Sequence, residues 1–548
     1  MSLSKHVDPD ELIASLREHA PKHRLNQHQH KTATHHYIYG SRYSASQEIP
    51  KFRIPKTGAD ASVVHQIIKD ELDLDGRPNL NLASFVNTYM EPECDKLILE
   101  NIAKNLADAD EYPALMAIHA RCISMISHLW GIPKGETAIG TATIGSSEAI
   151  HLGGLAMKRR WQDRRRKEGK STEKPNILMG ANAQVALEKF ARYFEVEARI
   201  LPVSEESHWC LDPKLVRQNV DENTIGVFVI LGSTYTGHFE PVEEISKVLD
   251  EYEKDTGISI PIHVDGASGA MVAPFTGAQG KWGFELHRVH SINTSGHKFG
   301  LVYAGLGWIV WRNEEYLPKD LIFELHYLGG TEQSYTLNFS RPGNQVIAQY
   351  FNFIHLGREG FTSVMQNALQ NARVLSKALE ASGWYVCLSD IHRKRGSWGD
   401  GGTGTKIIEG VKDLTLQESD PSLYNSGLPV VAFRFNDEFR KTFPHIKQQS
   451  VSTLLRTKGY IIPNYNLPPS VEEIEILRVV VRESMSADLL DRLIADILET
   501  TETLMSCDAV DLESLAAPRS ARIEKQVQSM GKHGRQEQDF SGTLKTTC

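Results

Sequence analysis

Lys298 lies in the segment SINTSGHKFG, just past the apolar stretch 289–292 and inside a run of small polar residues. It follows Asp265, which ends the short β-branched stretch of IPIHVDGASGA, by 33 positions. A lysine amine forms a Schiff base with an aldehyde, and a strand-end carboxylate can keep a pyridine nitrogen protonated so that the ring accepts electrons. Together they supply what pyridoxal phosphate (PLP) chemistry needs. Seen alone, Lys298 is a solvated lysine and Asp265 a cap or turn former. The setting of the first, SGHK between two apolar strands, gives the second its meaning as an ion-pair partner that raises the basicity of the ring nitrogen.

A phosphate group needs backbone N–H groups and hydroxyls at a helix N-terminus. Gly145-Ser146-Ser147-Glu148 offers both, at the start of an expected helix after an expected strand. Serine at an N-cap is common, so the signal gains weight only from lying upstream of Asp265 and Lys298 in the same α/β unit. Ser295 is a further candidate phosphate ligand, and His297 either touches the phosphate or closes the turn. Arg478, in EILRVVVRE, is a charge embedded in an apolar strand. Its readings are a buried structural ion pair or bidentate capture of a substrate carboxylate.

These residues must be positioned by larger elements. Strand and helix patterns alternate from 139 to 311: strands at 139–144, 177–179, 198–201, 226–231, 260–264, 289–292 and 305–311, with helices at about 145–166, 184–194 and 241–254. The near-continuous apolar run GVFVIL is of the parallel, doubly covered kind. Such alternation implies a largely parallel sheet with helices on both faces, and ligands beyond the carboxyl ends of its strands. Before it, helical spacing covers 63–72, 94–106 and 113–130, with an extended piece near 80–85. After it, helices at 344–355 and 361–381 lead to a smaller α+β unit, with strands at 430–435 and 474–482 and helices at 450–458 and 488–505. The expected division is an arm and helical segment over 1–75, a large cofactor-binding domain over 76–350, and a small C-terminal domain over 351–510. The polar run 393–424 reads as a flexible insertion, and 511–548 as a polar, disordered tail.

The chain of 548 residues can bury a sizeable core, and its hydrophobic content of 41% is that of a soluble enzyme. A net charge of −9 argues against nucleic-acid binding, which needs a basic face. The six cysteines show no paired spacing, which suits a reducing compartment. The N-terminal residues contain charges throughout and do not read as a secretory signal. No segment approaches the ~20 apolar residues that span a bilayer. A cytoplasmic location without membrane attachment is expected. The His-rich arm, with His23, His28, His30, His35 and His36, lacks the Cys or carboxylate spacing of a metal site and reads as solvated or covering a neighbouring subunit.

The ordered motifs NLASFVNTYMEPE, GTATIGSSEAIHLGGLAMKRRW, GSTYTGHFEPV, HVDGASGAMVAPF, SGHKFGLVYAGLGW and NFSRPGNQVIAQYF resemble the glutamate decarboxylase family, a branch of the fold-type-I PLP decarboxylases. The resemblance spans about 61–482. It implies a PLP-dependent transferase-like fold and conversion of L-glutamate to 4-aminobutyrate and CO2. Lys298 resembles the lysine that carries the cofactor, and Asp265 the partner of its pyridine nitrogen. Ala267 and Gln184 resemble the residues that cover its two ring faces. Ser146, Ser147, Ser295 and His297 resemble phosphate ligands, with Ser340 supplied by a neighbouring subunit. Thr234 would sit near the ring oxygen or the departing carboxylate. Arg478 resembles a substrate-carboxylate arginine, Ser84 and Phe85 the distal carboxylate pocket, and Asn105 and Asp108 residues lent by a partner chain. The family often carries Ala where Gly266 stands, a difference expected to be harmless.

The resemblance also implies a homo-oligomer, a dimer at least and a hexamer in keeping with the family. Plant members have a calmodulin-binding C-terminus. The tail here has no tryptophan and little apolar periodicity, so calmodulin is not expected as a partner. Tyr327 and Leu328, in FELHYLGG, fall where related decarboxylases have a mobile segment. Either a loop closing there directs the proton that Cα needs after CO2 leaves, with Tyr327 or Lys298 as its donor, or Tyr327 is a packing tyrosine. The rival readings are another PLP-dependent amino-acid decarboxylase and a non-catalytic scaffold.

Overall fold

The computed structural model describes residues 8, 52–325, 332–397 and 421–506. The His-rich arm, Tyr327 and Leu328, most of the 393–424 insertion and the C-terminal tail lie outside the described residues. The described residues fall into two units, one up to Leu80 and one from Asn81 onward.

In the first unit the helical spacing at 63–72 forms α1 (Ala61–Leu72), capped where the Asp60 carboxylate accepts the Ser62 N–H. None of its residues is buried.

The second unit is built on a seven-stranded sheet. Its strands are β1 (Ile139–Thr143), β2 (Asn176–Gly180), β3 (Glu197–Leu201), β4 (Thr224–Ile230), β5 (Ile262–Asp265), β6 (Val289–Thr294) and β7 (Gly307–Trp311). They lie in the order β1-β7-β6-β5-β4-β2-β3. β3, β2, β4, β5 and β6 run parallel, and β7 is antiparallel to both β6 and β1. The mostly parallel sheet expected from the alternation is therefore present. Every residue of β4 is buried. Because successive side chains of a strand point to opposite faces, Val227 and Val229 enter one apolar core while Phe228 and Ile230 enter another. That double burial is why the run carries no polar alternation.

Four helices matter for the site. α2 (Pro92–Glu100) and α3 (Pro113–Leu129) pack on the larger core, α4 (Ser146–Lys167) crosses the sheet, and α5 (Val185–Tyr193) follows β2. A long helical element, Asn344–Ala381, breaks at Gly357 (φ 56°, ψ −169°), a backbone region open almost only to glycine. Two helices were expected here, and the break separates them. The smaller sheet, in antiparallel order β10 (Tyr385–Cys387), β11 (Val430–Phe435), β13 (Glu475–Val480) and β12 (Asn464–Asn466), carries Arg478 on a central strand. The short strands β8 (Phe323–Leu325) and β9 (Glu332–Ser334) pair with each other. They, like β10 and β12, are too short to leave a periodic signal in the sequence.

Candidate active site

The carboxyl ends of β2, β4, β5 and β6 converge on a cavity. It is lined by Ser146, Ile150, Asn182, Gln184, Ile230, Gly232, Thr234, Asp265, Ala267, Ser268 and Lys298. This is where an open parallel sheet holds its ligands. Six of the expected residues thus share one cavity: Ser146, Gln184, Thr234, Asp265, Ala267 and Lys298. Asn182, Ser268, Ile150, Ile230 and Gly232 were missed, although Asn182 stands two places before Gln184 and Ser268 three after Asp265.

Asp265 is 4% exposed. Burial raises its carboxyl above the usual carboxylate range, opposed by the Asn293 hydrogen bond, the Lys298 charge and the Ala267 N–H. Both neutral donors reach one oxygen: Asn293 Nδ2 donates to Oδ1 at 3.0 Å and the Ala267 N–H at 3.1 Å. Lys298 is equally buried. Its Nζ donates to Ser268 Oγ at 3.5 Å and stands 5.3 Å from the centre of the Phe85 ring.

The phosphate end gathers around the N-terminus of α4, where Ser146 is half-buried and Ser147 exposed. His297 packs against this turn, since a Cβ on Gly145 would come within 3.1 Å of its Cε1. Burial, with the neighbouring Lys298 charge, pulls the His297 imidazole down to about 4. Its Nδ1 accepts from the Leu306 N–H at 3.3 Å, so the neutral ring carries its proton on Nε2. The Ser295 N–H donates to Ala267 O at 3.0 Å, while its fully buried Oγ has no hydrogen-bond partner. An orphaned hydroxyl, a donor-bearing imidazole and a helix N-terminus fit a phosphate. A buried carboxylate and lysine across the same cavity fit the pyridine ring and the aldehyde.

Arg478, 2% exposed, has no carboxylate partner among the described residues, so the ion-pair reading does not hold. Its Nη1 donates to Thr234 O at 2.7 Å and its Nη2 to Ala83 O. Its Nε is buried without a partner. The guanidinium also lies 5.0 Å from the Phe85 ring centre. Arg482 holds Val86 O and Asn81 O. Arg478 of β13 and Arg482, just beyond the end of that strand, thus grip the segment 81–86 that carries Ser84 and Phe85. Ser84 Oγ accepts the Val86 N–H at 3.1 Å.

Asn105, Asp108 and Ser340 do not line this cavity. Asn105 Nδ2 donates to Ser340 Oγ at 3.3 Å, and Asn105 Oδ1 accepts from the N–H groups of Ala107 and Arg341. Asp108 Oδ1 accepts the Glu111 N–H. At position 266 a Cβ would lie 2.4 Å from Ala270 Cβ and 3.0 Å from Asn293 O, so the glycine fits the packing of this chain.

Behind the cavity Glu240, 3% exposed, accepts from Asn182 Nδ2 at 3.0 Å, the Leu211 N–H at 3.1 Å and the Ile230 N–H at 2.6 Å. Burial nevertheless pushes its carboxyl up to about 7 from 4.5. The folded chain therefore holds this proton where the unfolded chain has released it. The resulting stabilisation is complete below about pH 4.5 and is lost as pH rises through about 7. Glu240→Gln should flatten the fall in Tm across that window, superimposed on a pH-independent loss because an amide cannot accept all three N–H groups. A Tm-against-pH slope unchanged in the variant would refute this.

Residues 56–393 match the family described as the pyridoxal-dependent decarboxylase conserved domain. A glutamate decarboxylase of Saccharomyces cerevisiae is 48% identical over 85% of this chain and 82% of its own. One of Petunia hybrida is 44% identical over 90% of this chain and 92% of its own. Among solved structures, the Lactobacillus brevis glutamate decarboxylase superposes with a TM-score of 0.74 at 34% identity, covering 84% of this chain and 97% of that one. These likenesses place the fold in type I and make pyridoxal 5'-phosphate the cofactor. By the family model and by these relatives alike, the chain belongs to the glutamate decarboxylases.

Proposed function

We propose that this chain converts L-glutamate to 4-aminobutyrate and CO2 at the cavity around Lys298. One observation carries the reading: Lys298 and Asp265 share a buried strand-end cavity in a chain belonging to the glutamate decarboxylases. When bound, PLP supplies the sink into which the electrons of the Cα–carboxyl bond pass as CO2 leaves. Lys298 would hold the cofactor through its aldehyde. Asp265 keeps the pyridine nitrogen protonated. Ser146, Ser147, Ser295 and the Nε2–H of His297 hold the phosphate, and Ala267 and Gln184 bound the ring on either side.

Substrate choice falls to the segment 81–86 and the arginine that grips it. Ser84, Phe85 and the neighbouring backbone form the distal carboxylate pocket, with Arg478 and Thr234 on the side of the departing carboxylate. Holding the far end of glutamate fixes the near end, so that the bond to be broken stands perpendicular to the ring. Asn105, Asp108 and Ser340 belong to a neighbouring subunit's site in a homo-oligomer, a dimer at least. Their absence from the cavity of their own chain supports that assignment. Residues 76–350 serve as the cofactor-binding portion and 351–510 as the smaller C-terminal portion. No helix among the described residues is long and apolar enough to cross a membrane. A cytoplasmic location is the reading that composition supports.

One proton is consumed per turnover, delivered to Cα. Tyr327 is proposed as its donor. Tyr327→Phe should slow turnover about 10²-fold, the scale of lost general acid catalysis, and raise the yield of succinic semialdehyde relative to 4-aminobutyrate. An unchanged rate and product ratio would remove Tyr327 from this role. The reading as a whole is tested by incubating the protein and PLP with glutamate, aspartate, tyrosine and cysteine and measuring CO2. Release from glutamate alone is expected. Release only from another amino acid, or from none despite a bound cofactor, would overturn it.

A further inference from the structure

Beneath Asp265 a second row of polar side chains is fully enclosed. β5 and β6 run parallel with His263 opposite Ser291 and Asp265 opposite Asn293. His263 and Asn293 are 0% exposed and Ser291 is 1% exposed. His263 Nδ1 is 2.7 Å from Ser291 Oγ, and its Nε2 is 2.7 Å from Asn293 Oδ1. Asn293 Nδ2 in turn donates to Asp265 Oδ1 at 3.0 Å.

The donors and acceptors order themselves. Asn293 gives its amide N–H to a carboxylate, so its Oδ1 is the acceptor and His263 must place a proton on Nε2. Burial pulls His263 down to about 4, so the ring is neutral and Nδ1 has a lone pair for the Ser291 hydroxyl. The chain therefore runs one way, from Ser291 O–H through His263 and Asn293 to Asp265 Oδ1. Such chains polarise in a common direction inside a low-dielectric interior. The surroundings have made room for it. A Cβ on Gly153 of α4 would stand 2.5 Å from His263 Nδ1 and Cε1, and the Phe228 ring meets the imidazole edge-on at 5.4 Å. A histidine kept at this cost in packing, with both nitrogens used, is not filling space.

We propose that His263 and Asn293 are positioning residues which turn the Asp265 carboxylate so that Oδ1 is spent on the protein and Oδ2 is left for the pyridine nitrogen of the cofactor. Among the described residues no donor reaches Oδ2, whereas Oδ1 takes both N–H groups. Removing the Asn293 amide leaves a buried carboxylate short of a donor and free to rotate. Asp265 then holds its proton more readily and pairs more weakly with the ring nitrogen. The inference rests on the cofactor site described above but assigns roles to residues outside the cavity.

The test compares holoenzymes reconstituted with ¹⁵N-labelled PLP: wild type, Asn293→Ala, His263→Leu and His263→Gln. Three readouts are taken: the pyridine ¹⁵N chemical shift, the first-order rate of cofactor loss on dilution, and kcat with KM for glutamate. Asn293→Ala should move the ¹⁵N signal toward the unprotonated position and hasten cofactor loss. It should lower kcat more than it raises KM, by about 10- to 100-fold, the range for outer partners of a bound group. His263→Leu should follow in the same direction. His263→Gln, which can return an N–H to Asn293 Oδ1, should recover most of the signal. A folded Asn293→Ala enzyme with wild-type ¹⁵N shift and cofactor lifetime would overturn the proposal, as would His263→Gln behaving no better than His263→Leu. A wild-type protein that binds no PLP would instead overturn the site itself, so the two failures are distinguishable.

Discussion

Lys298→Ala is expected to give a folded protein without the visible absorbance of a lysine-bound cofactor and with kcat/KM for glutamate lowered by about 10⁴-fold or more. The residue is buried and, among the described residues, its side chain makes only the long hydrogen bond to Ser268 Oγ, so truncation removes little structural support. What it removes is the amine that holds the aldehyde in place and a cation that steadies Asp265. Without that charge the carboxyl of Asp265 should rise further, and cofactor affinity should fall together with turnover. Added PLP would be held only by its phosphate and ring contacts. The measurements are the absorbance spectrum after dialysis and the steady-state rate with excess cofactor. Retention of the band, or a rate within about tenfold of wild type, would show that another group carries the cofactor.

Arg478→Met should destabilise the protein by about 2–5 kcal/mol and raise KM for glutamate well above its effect on expression or solubility. Methionine fills much of the volume but donates nothing. Thr234 O and Ala83 O would lose their charged donor, and the segment 81–86 would rely on Arg482, the Val480 N–H to Leu82 O at 2.9 Å and the bridge from Asn81 to Ile461. Arg478→Lys separates charge from geometry, because one ammonium cannot span both carbonyls as the guanidinium fork does. It should restore part of the stability and little of the KM. Urea unfolding of the two variants, set beside their kinetics, checks this. A loss below about 1 kcal/mol for Arg478→Met would mean that the arginine does not hold the segment.

How much of this could be read from the chain depends on the distance over which each feature is encoded. The parallel strands, the helix after Gly145-Ser146 and the break near Gly357 are written in local periodicity and turn residues, and they appear where expected. Lys298 and Asp265 were legible because their chemistry is specific to residue type and their strand-end positions follow from the same periodicity. Ser147 was legible as a member of the cradle but not as an exposed one. Asn182 and Ser268 were missed because amides and serines near turns carry no distinguishing signal until the strands that precede them are placed side by side.

The amino-acid sequence by itself determined the fold class and the family, since each is a matter of short-range pattern and ordered motifs. Tertiary structure decided the rest. Arg478 looked like a buried ion pair or a free carboxylate clamp, and only the packing of 81–86 against the smaller sheet shows its Nη groups committed to two carbonyls. Asn293 and His263 drew no reading as a pair. Their hydrogen bonds exist only because parallel pairing of β5 and β6 sets residues about thirty positions apart in direct register, which is a property of the sheet and not of either segment.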